Sequence, residues 1–318
     1  MVYGCIMSAR DDTDPLPGPA LLSVGGVFID DIVFPDGRTE MGVLGGAATH
    51  AATGMRLWGE RPALVACLGQ GFPQPAAARL EAAFDLRGIV RLEIPQARSW
   101  QLFEPDGRRT EVFRVEFVQP FVNDPQPAQV PPALRAARGV YLLRFGADVP
   151  GWRAHFPDTC LLWEPQQIYM TAANRAEFRR LLPLVDVVSP NVAEARAVYG
   201  FDDPERLART MVEDGARIAA LRMGPAGSLV AAHGRDHVLS VPALPVPHVA
   251  DQTGAGNTYC GAFLAGWLQT GDLRTAAAYG AVAASFALEV IGVADVDAPG
   301  ALERRDQRLR WVLERMLG

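Results

Sequence analysis

Lysine is missing from all 318 residues, and every one of the 30 basic positions is an arginine. That excludes a phosphate loop built on a Walker-A lysine, a protein-kinase-type nucleotide lysine and any lysine Schiff base. If such a chain binds phosphates, backbone amides and arginines must hold them. Cysteine is scarce as well. Cys5, Cys67, Cys160 and Cys260 are scattered without C-x-x-C spacing, which suits reduced thiols and a cytoplasmic protein. No apolar run reaches the ~18 residues that a membrane span needs. The longest, residues 276–293, is interrupted by Gly280, Glu289 and Gly292 and reads as a buried helix. A net charge of −6 with no run of like charges argues against a nucleic-acid surface. No G-x-G-x-x-G follows the first strand, so a dinucleotide-dependent dehydrogenase has little support. No basic segment precedes an apolar one at the amino terminus, and no secretory signal is expected. Residues 1–20, rich in aspartate and proline, read as a disordered leader.

What is present points to one α/β domain over residues 21–318, at the upper edge of what one core supports. Leu21–Val27, "LLSVGGV", is a short apolar strand ending in two glycines. Two hairpins follow at a distance, one through Pro35-Asp36-Gly37-Arg38 and one through Pro105-Asp106-Gly107-Arg108. Elsewhere strands alternate with helices: a helix at Ala47–Leu57, a strand at Gly139–Phe145, a strand at Ile218–Arg222. This order predicts a largely parallel sheet covered on both faces. The hairpins do not fit such a sheet, and residues 31–44 and 98–117 are assigned to a small β lid.

The most informative stretch is Asp251-Gln252-Thr253-Gly254-Ala255-Gly256-Asn257, which opens an apolar helix running to about Gln269. Free amides at a helix start, with the helix dipole behind them, favour negative charge. Such a start suits the charge on a transferring phosphoryl group. Small residues there serve close helix packing equally well.

This segment resembles the D-T-x-G-A-G-D signature of the PfkB (ribokinase-like) carbohydrate kinase family, and the resemblance extends over about 270 residues, Leu21 to Gly292. "VGGVFID" is similar to the family's first strand, ending in a substrate-binding aspartate, here Asp30. Asp31 is the competing assignment, but the spacing from Gly25 favours Asp30. "LGGAATHAATGMRLWG" resembles the sugar-contacting GG helix and implies substrate roles for Gly45, Gly46 and His50. "VDVVSPNVAEARAVYG" carries the N-x-x-E pattern on Asn191 and Glu194. These two form a plausible helix cap, whereas the resemblance implies nucleotide contact for Asn191 and a magnesium role for Glu194. "LRMGPAGSLV" resembles the nucleotide loop and implies that role for Arg222, Gly224 and Gly227. Asp251 matches a monovalent-cation ligand, and Glu164, ending "LLWEP", is placed near the magnesium network. Gly254, Ala255 and Gly256 map onto the anion hole.

The departures carry weight. Asn257 stands where the family keeps the aspartate that takes the acceptor hydroxyl's proton, and an amide can orient a hydroxyl but cannot serve as a base. His50 replaces a sugar-binding asparagine. Two functions compete. One is an ATP- and Mg²⁺-dependent kinase for a sugar or nucleoside hydroxyl, aided by a monovalent cation such as K⁺. The other is a catalytically degenerate relative that binds nucleotide or sugar as a regulatory module. A homodimer through the lid is a further expectation, and the charge and hydropathy above give no nucleic-acid or membrane partner.

Overall fold

The structure, a computed structural model, describes residues 20–105, 109–114 and 124–316. The expected leader lies outside the described residues except for Ala20, as do the centre of the second hairpin turn (106–108) and its last expected residues (115–117).

The apolar run Leu21–Val24 forms β1 in the middle of the main sheet. Leu21 packs into one hydrophobic cluster while Leu22 and Val24 pack into another, on the opposite face. A strand buried on both sides is mostly apolar, and the one polar side chain here, Ser23, is buried with its Oγ donating to the Ala48 carbonyl at 2.7 Å. The chain then leaves the sheet for β2 (Phe28–Val33) and β3 (Thr39–Gly45), an antiparallel pair. It returns through α1 (Ala47–Leu57) to β4 (Ala63–Gln70), parallel to β1. Next, α2 (Gln74–Ala83) leads into the edge strand β5 (Asp85–Pro95). A second excursion forms β6 (Arg98–Phe103) and β7 (Arg109–Phe113).

From β8 (Gly139–Arg144) onward strands and helices alternate: α3 (Val149–His155), β9 (Cys160–Pro165), α4 (Arg175–Leu181) and β10 (Val187–Val188). Then come α5 (Val192–Tyr199), α6 (Pro204–Glu213) and β11 (Ile218–Arg222). β12 (Ser228–Ala232) and β13 (Leu239–Val241) add two antiparallel strands at one edge. The helices α7 (Ala255–Thr270), α8 (Leu273–Leu288) and α9 (Ala301–Arg315) complete the chain. The sheet order is β13-β12-β11-β10-β9-β8-β1-β4-β5, parallel from β11 to β5. Helices α1, α7, α8 and α9 cover one face, and α3 to α6 the other. This is the doubly covered, mainly parallel architecture that the sequence pattern predicts, and the fold is ribokinase-like.

Two details differ from expectation. The excursions do not stand as separate hairpins: β2 pairs in parallel with β6, giving one four-stranded lid sheet in the order β3-β2-β6-β7. The lid therefore begins at Phe28, and Asp30 sits inside a lid strand rather than at the end of β1. The edge strand β5 is an addition to the sequence reading: Arg87, Arg91 and Glu93 are exposed and alternate with Leu86, Val90, Leu92 and Ile94, as in a strand with one solvated face. Among the described residues no helix is long and apolar enough to cross a membrane.

The contact that sets the position of the site is between α1 and α7. A side-chain carbon on Gly261 would collide with the Ala51 carbonyl oxygen, and one on Gly54 would collide with the Thr258 carbonyl oxygen. The two helices thus touch backbone to backbone, running side by side in the same direction, with both first turns at one end of the sheet. We expect Gly261→Ala to destabilise the protein by ~1–3 kcal/mol through overpacking, although alanine is the better helix former by ~1 kcal/mol. Denaturant unfolding checks this, and an unchanged midpoint would contradict the close contact.

Candidate active site

The carboxyl ends of the parallel strands, the first turns of α1 and α7, and the inner face of the lid enclose one cleft of about 380 Å³. Ligands of open α/β sheets bind at this position because the loops there diverge. The lid contributes Phe28, Asp30, Gln101, Phe103 and Glu111, while α1 contributes Gly46 and His50. The strand ends contribute Glu164, Asn191 and Arg222, and the start of α7 contributes Gly254, Gly256 and Asn257. Most of the residues singled out in the sequence therefore meet, although they span 227 positions from Asp30 to Asn257 (257 − 30). Gly45, Ala255, Gly224, Gly227 and Asp251 do not line the cleft. Gly224 and Gly227 form the tight turn from β11 to β12, beyond Arg222. Gly45 leaves the space that the Asp30 Oδ2 atom occupies.

In the lid, alternation along β2 sends neighbouring aspartates to opposite faces. Asp30 is buried on the cleft side, and its Oδ1 accepts from Ser99 Oγ at 2.7 Å and from Gln101 Nε2 at 3.0 Å. Asp31 is on the other side, where its carboxylate accepts from Arg98 Nη2 at 2.8 Å, from the Gly42 N–H at 2.9 Å, and from Arg114. Burial alone would raise the Asp31 pKa, but these donors together hold it below the ordinary carboxylate range. Asp30 is therefore the lid aspartate that faces the cleft, and Asp31 ties the lid strands together.

At the start of α7, Gly254 adopts the left-handed region at φ 76°, and a side chain there would run into the His50 imidazole. At Gly256 a side-chain carbon would collide with the Arg222 guanidinium. The helix start is thus bare of side chains at Gly254 and Gly256, with the N–H groups of a first turn and an arginine beside it. This cradle fits the phosphates of a nucleotide. Arg222 donates from Nη2 to Glu164 Oε1 at 2.8 Å and to the Ser189 carbonyl at 2.8 Å. Burial would lower the Arg222 pKa, but Glu164 and Glu194 beside it outweigh that and hold it above its ordinary value. The other Glu164 oxygen, Oε2, accepts from Tyr141 Oη at 2.7 Å and from Asn257 Nδ2 at 3.0 Å. Both carboxylate oxygens thus take protein donors, and Glu164 also lines the cleft in which the resemblance implies a magnesium network. Burial, with the Glu164 charge next, pushes the Tyr141 phenol well above its usual pKa and keeps it a donor.

Asn191 and Glu194 form a reciprocal capping box. Asn191 Oδ1 accepts from the Glu194 N–H at 2.9 Å, and Glu194 Oε2 accepts from the Asn191 N–H at 2.7 Å. Both also face the cleft, so capping and cleft-lining coincide at the same two residues. Asp251 is buried behind the cleft wall, with Oδ1 taking the Thr253 N–H at 2.8 Å and Oδ2 without a hydrogen-bond partner among the described residues. Burying an unpartnered carboxylate oxygen is costly, so a cation fits there. Among the described residues no cluster of three or more His, Cys, Asp or Glu side chains is gathered to hold a metal. Sequence reasoning missed Tyr141, Ser99, Gln101, Phe28, Phe103 and Glu111. Tyr141 is signalled only as a phenol inside the apolar strand "GVYLLR".

Residues 165–299 match the family model of the pfkB family carbohydrate kinases. A cytidine kinase of Thermococcus kodakarensis is 26% identical over 260 residues, 78% of this chain and 88% of that protein. A nucleoside kinase of Methanocaldococcus jannaschii is 24% identical over 291 residues, 81% of this chain and 85% of that protein. Among solved structures, the nucleoside kinase of Burkholderia thailandensis in complex with inosine superposes with a TM-score of 0.72 at 20% identity, covering 92% of this chain and 96% of that one. At that identity the likeness carries the fold.

Glu194 generates a test. Burial pushes its carboxyl up from the ordinary 4.5 to about 7. Arg222, whose Nη2 lies 3.9 Å from Glu194 and 2.8 Å from Glu164, opposes this but does not outweigh burial. The folded protein thus holds this proton more tightly than the unfolded chain does. The stability it contributes is complete below about pH 4.5 and lost as pH rises through about 7. Glu194→Gln keeps the cap acceptor and removes the titration. The Tm of the variant should gain on wild type between those two pH values and run parallel to it above. A difference independent of pH would contradict the buried carboxyl.

Proposed function

We propose that this protein is an ATP-dependent phosphotransferase that phosphorylates a hydroxyl group of a nucleoside or sugar. The observation that carries this reading is the convergence, in one lidded cleft, of the lid carboxylate Asp30 and the bare helix start Gly254–Gly256. The first suits an acceptor hydroxyl and the second a phosphoryl group. Phosphoryl transfer through a loose transition state depends mainly on positioning and charge stabilisation. Asp30, held by Ser99 and Gln101, orients the acceptor. Asn257, Gly254 and Gly256 frame the phosphoryl site, with Arg222 and the helix dipole supplying positive charge. ATP brings the phosphoryl group and Mg²⁺ with its phosphates, with Glu194 and Asn191 as the cleft residues beside them. A monovalent cation such as K⁺ satisfies Asp251. The lid lies over the cleft and shields the donor from water. A cytoplasmic location and a homodimer through the lid belong to the same proposal.

Within this class a nucleoside is favoured over a simple sugar. Phe28 and Phe103 supply aromatic faces to the lid side of the cleft, suited to stacking a base, and the relatives above carry the names of cytidine and nucleoside kinases. Asn257 supports a second reading, a binding module without turnover, since its amide cannot hold the hydroxyl proton.

A thermal-shift screen of nucleosides and sugars with ATP and Mg²⁺, followed by phosphorylation assays on the hits, separates the two. We expect turnover of at least one nucleoside. Asp30→Ala should raise the acceptor KM by ~10- to 100-fold, the worth of a hydrogen bond to a charged group. K⁺ should raise the Tm of wild type but not of Asp251→Asn. Ligand-induced shifts without turnover of any acceptor would establish the binding module instead.

A further inference from the structure

Asn257 is joined to a buried network drawn from three distant parts of the chain. Its Nδ2 donates to Glu164 Oε2 at 3.0 Å and to Tyr141 Oη at 3.1 Å. Tyr141 gives its own proton to the same Oε2, and Arg222 holds Oε1. Glu164 is only 5% exposed. The amide can sit one way only. Its two hydrogens meet a carboxylate and a phenol oxygen whose proton is already committed, and the reversed amide would set its carbonyl oxygen against the carboxylate. The carbonyl oxygen of Asn257 is left as the atom available to the cleft, which the residue lines.

We propose that positions 164 and 257 form one charge-coupled unit, in which Glu164 carries the single negative charge and acts as a positioning residue for the acceptor hydroxyl through the Asn257 amide. The catalytic part of this inference rests on the kinase reading; the coupling itself does not. It changes what an aspartate at 257 would do. Aspartate is nearly isosteric with asparagine, so Asn257→Asp sets a second carboxylate against Glu164, with Arg222 the one cation bound to the pair among the described residues. Two such carboxylates cannot both ionise, and they share a proton. The substitution therefore does not install a free base. The charge-conserving exchange is Asn257→Asp together with Glu164→Gln, which keeps one carboxylate and one amide beside Tyr141 and Arg222.

The test is a double-mutant cycle on the full chain, read by Tm and by the rate of ATP-dependent phosphorylation of the best nucleoside from the screen. We expect Asn257→Asp alone to lower Tm by ~5 °C and Glu164→Gln alone to do the same, with the double variant within ~2 °C of wild type. Each single variant should lose at least ~10-fold in kcat and the double variant should exceed both. A double variant whose Tm falls by the sum of the single losses overturns the proposal. So does an Asn257→Asp variant with unchanged Tm and raised kcat, since position 257 would then lack only a base. If Glu164→Gln yields no folded protein, Asn257→Asp and the double variant suffice: a more stable double supports the coupling and a less stable one overturns it. If wild type turns over no acceptor, the kinase reading fails while the Tm comparison still decides the coupling.

Discussion

The backbone contact between α1 and α7 is the constraint on which the site depends. Gly54 and Gly261 let the helices approach until carbonyl oxygens occupy the places of side chains. Only at that separation does the His50 ring lie where a side chain on Gly254 would be, and only then do both helix starts open into one cleft. Two parallel dipoles held this close repel each other along their length. Their positive ends add in the cleft, where an anionic ligand offsets the repulsion. The packing that builds the core on that face thus also sets the field of the site.

The cleft lining sets one arginine, Arg222, among the carboxylates of Asp30, Glu111, Glu164 and Glu194. Arg222 faces Glu164 and, at a greater distance, Glu194, whose proton affinity is raised by burial. A chain without lysine has fewer ways to do this. Arginine's planar fork reaches a carboxylate and a backbone carbonyl from one nitrogen, which a lysine ammonium at the same place would do with less geometric definition. Asn257 belongs to this arrangement: a neutral amide there lets the carboxylate next to it stay paired with the arginine.

Much of this was legible in the sequence, where the signal is local. The bounds of α1 and β11 follow from apolar periodicity and the start of α5 from the Asn191–Glu194 cap, and the structure has them at the expected residues. The resemblance of "VGGVFID" with the spacing from Gly25 pointed to Asp30 over Asp31, and the structure puts Asp30 on the cleft face and Asp31 on the opposite one. What depended on long-range contact was not legible. The parallel pairing of β2 with β6, which merges two hairpins into one lid, leaves no local pattern. Neither does the Tyr141–Glu164–Asn257 network, whose members are up to 116 residues apart. Glu164 was visible as a strand-end acid, but the sequence could not show that its oxygens were already committed.

The adjacent aspartates of β2 also bear on how the lid finds its alignment. A strand that slips by one residue exchanges its two faces. Here such a slip would still offer a carboxylate to the arginines outside and another to Ser99 and Gln101 inside. The charges by themselves do not choose between the two arrangements. The choice is made by shape: the bulge between Asp30 and Ile32, and the missing side chain at Gly45 that leaves room for one carboxylate oxygen. The lid is therefore aligned by steric exclusion at a glycine, and a side chain there would unlock the alignment without removing any charge.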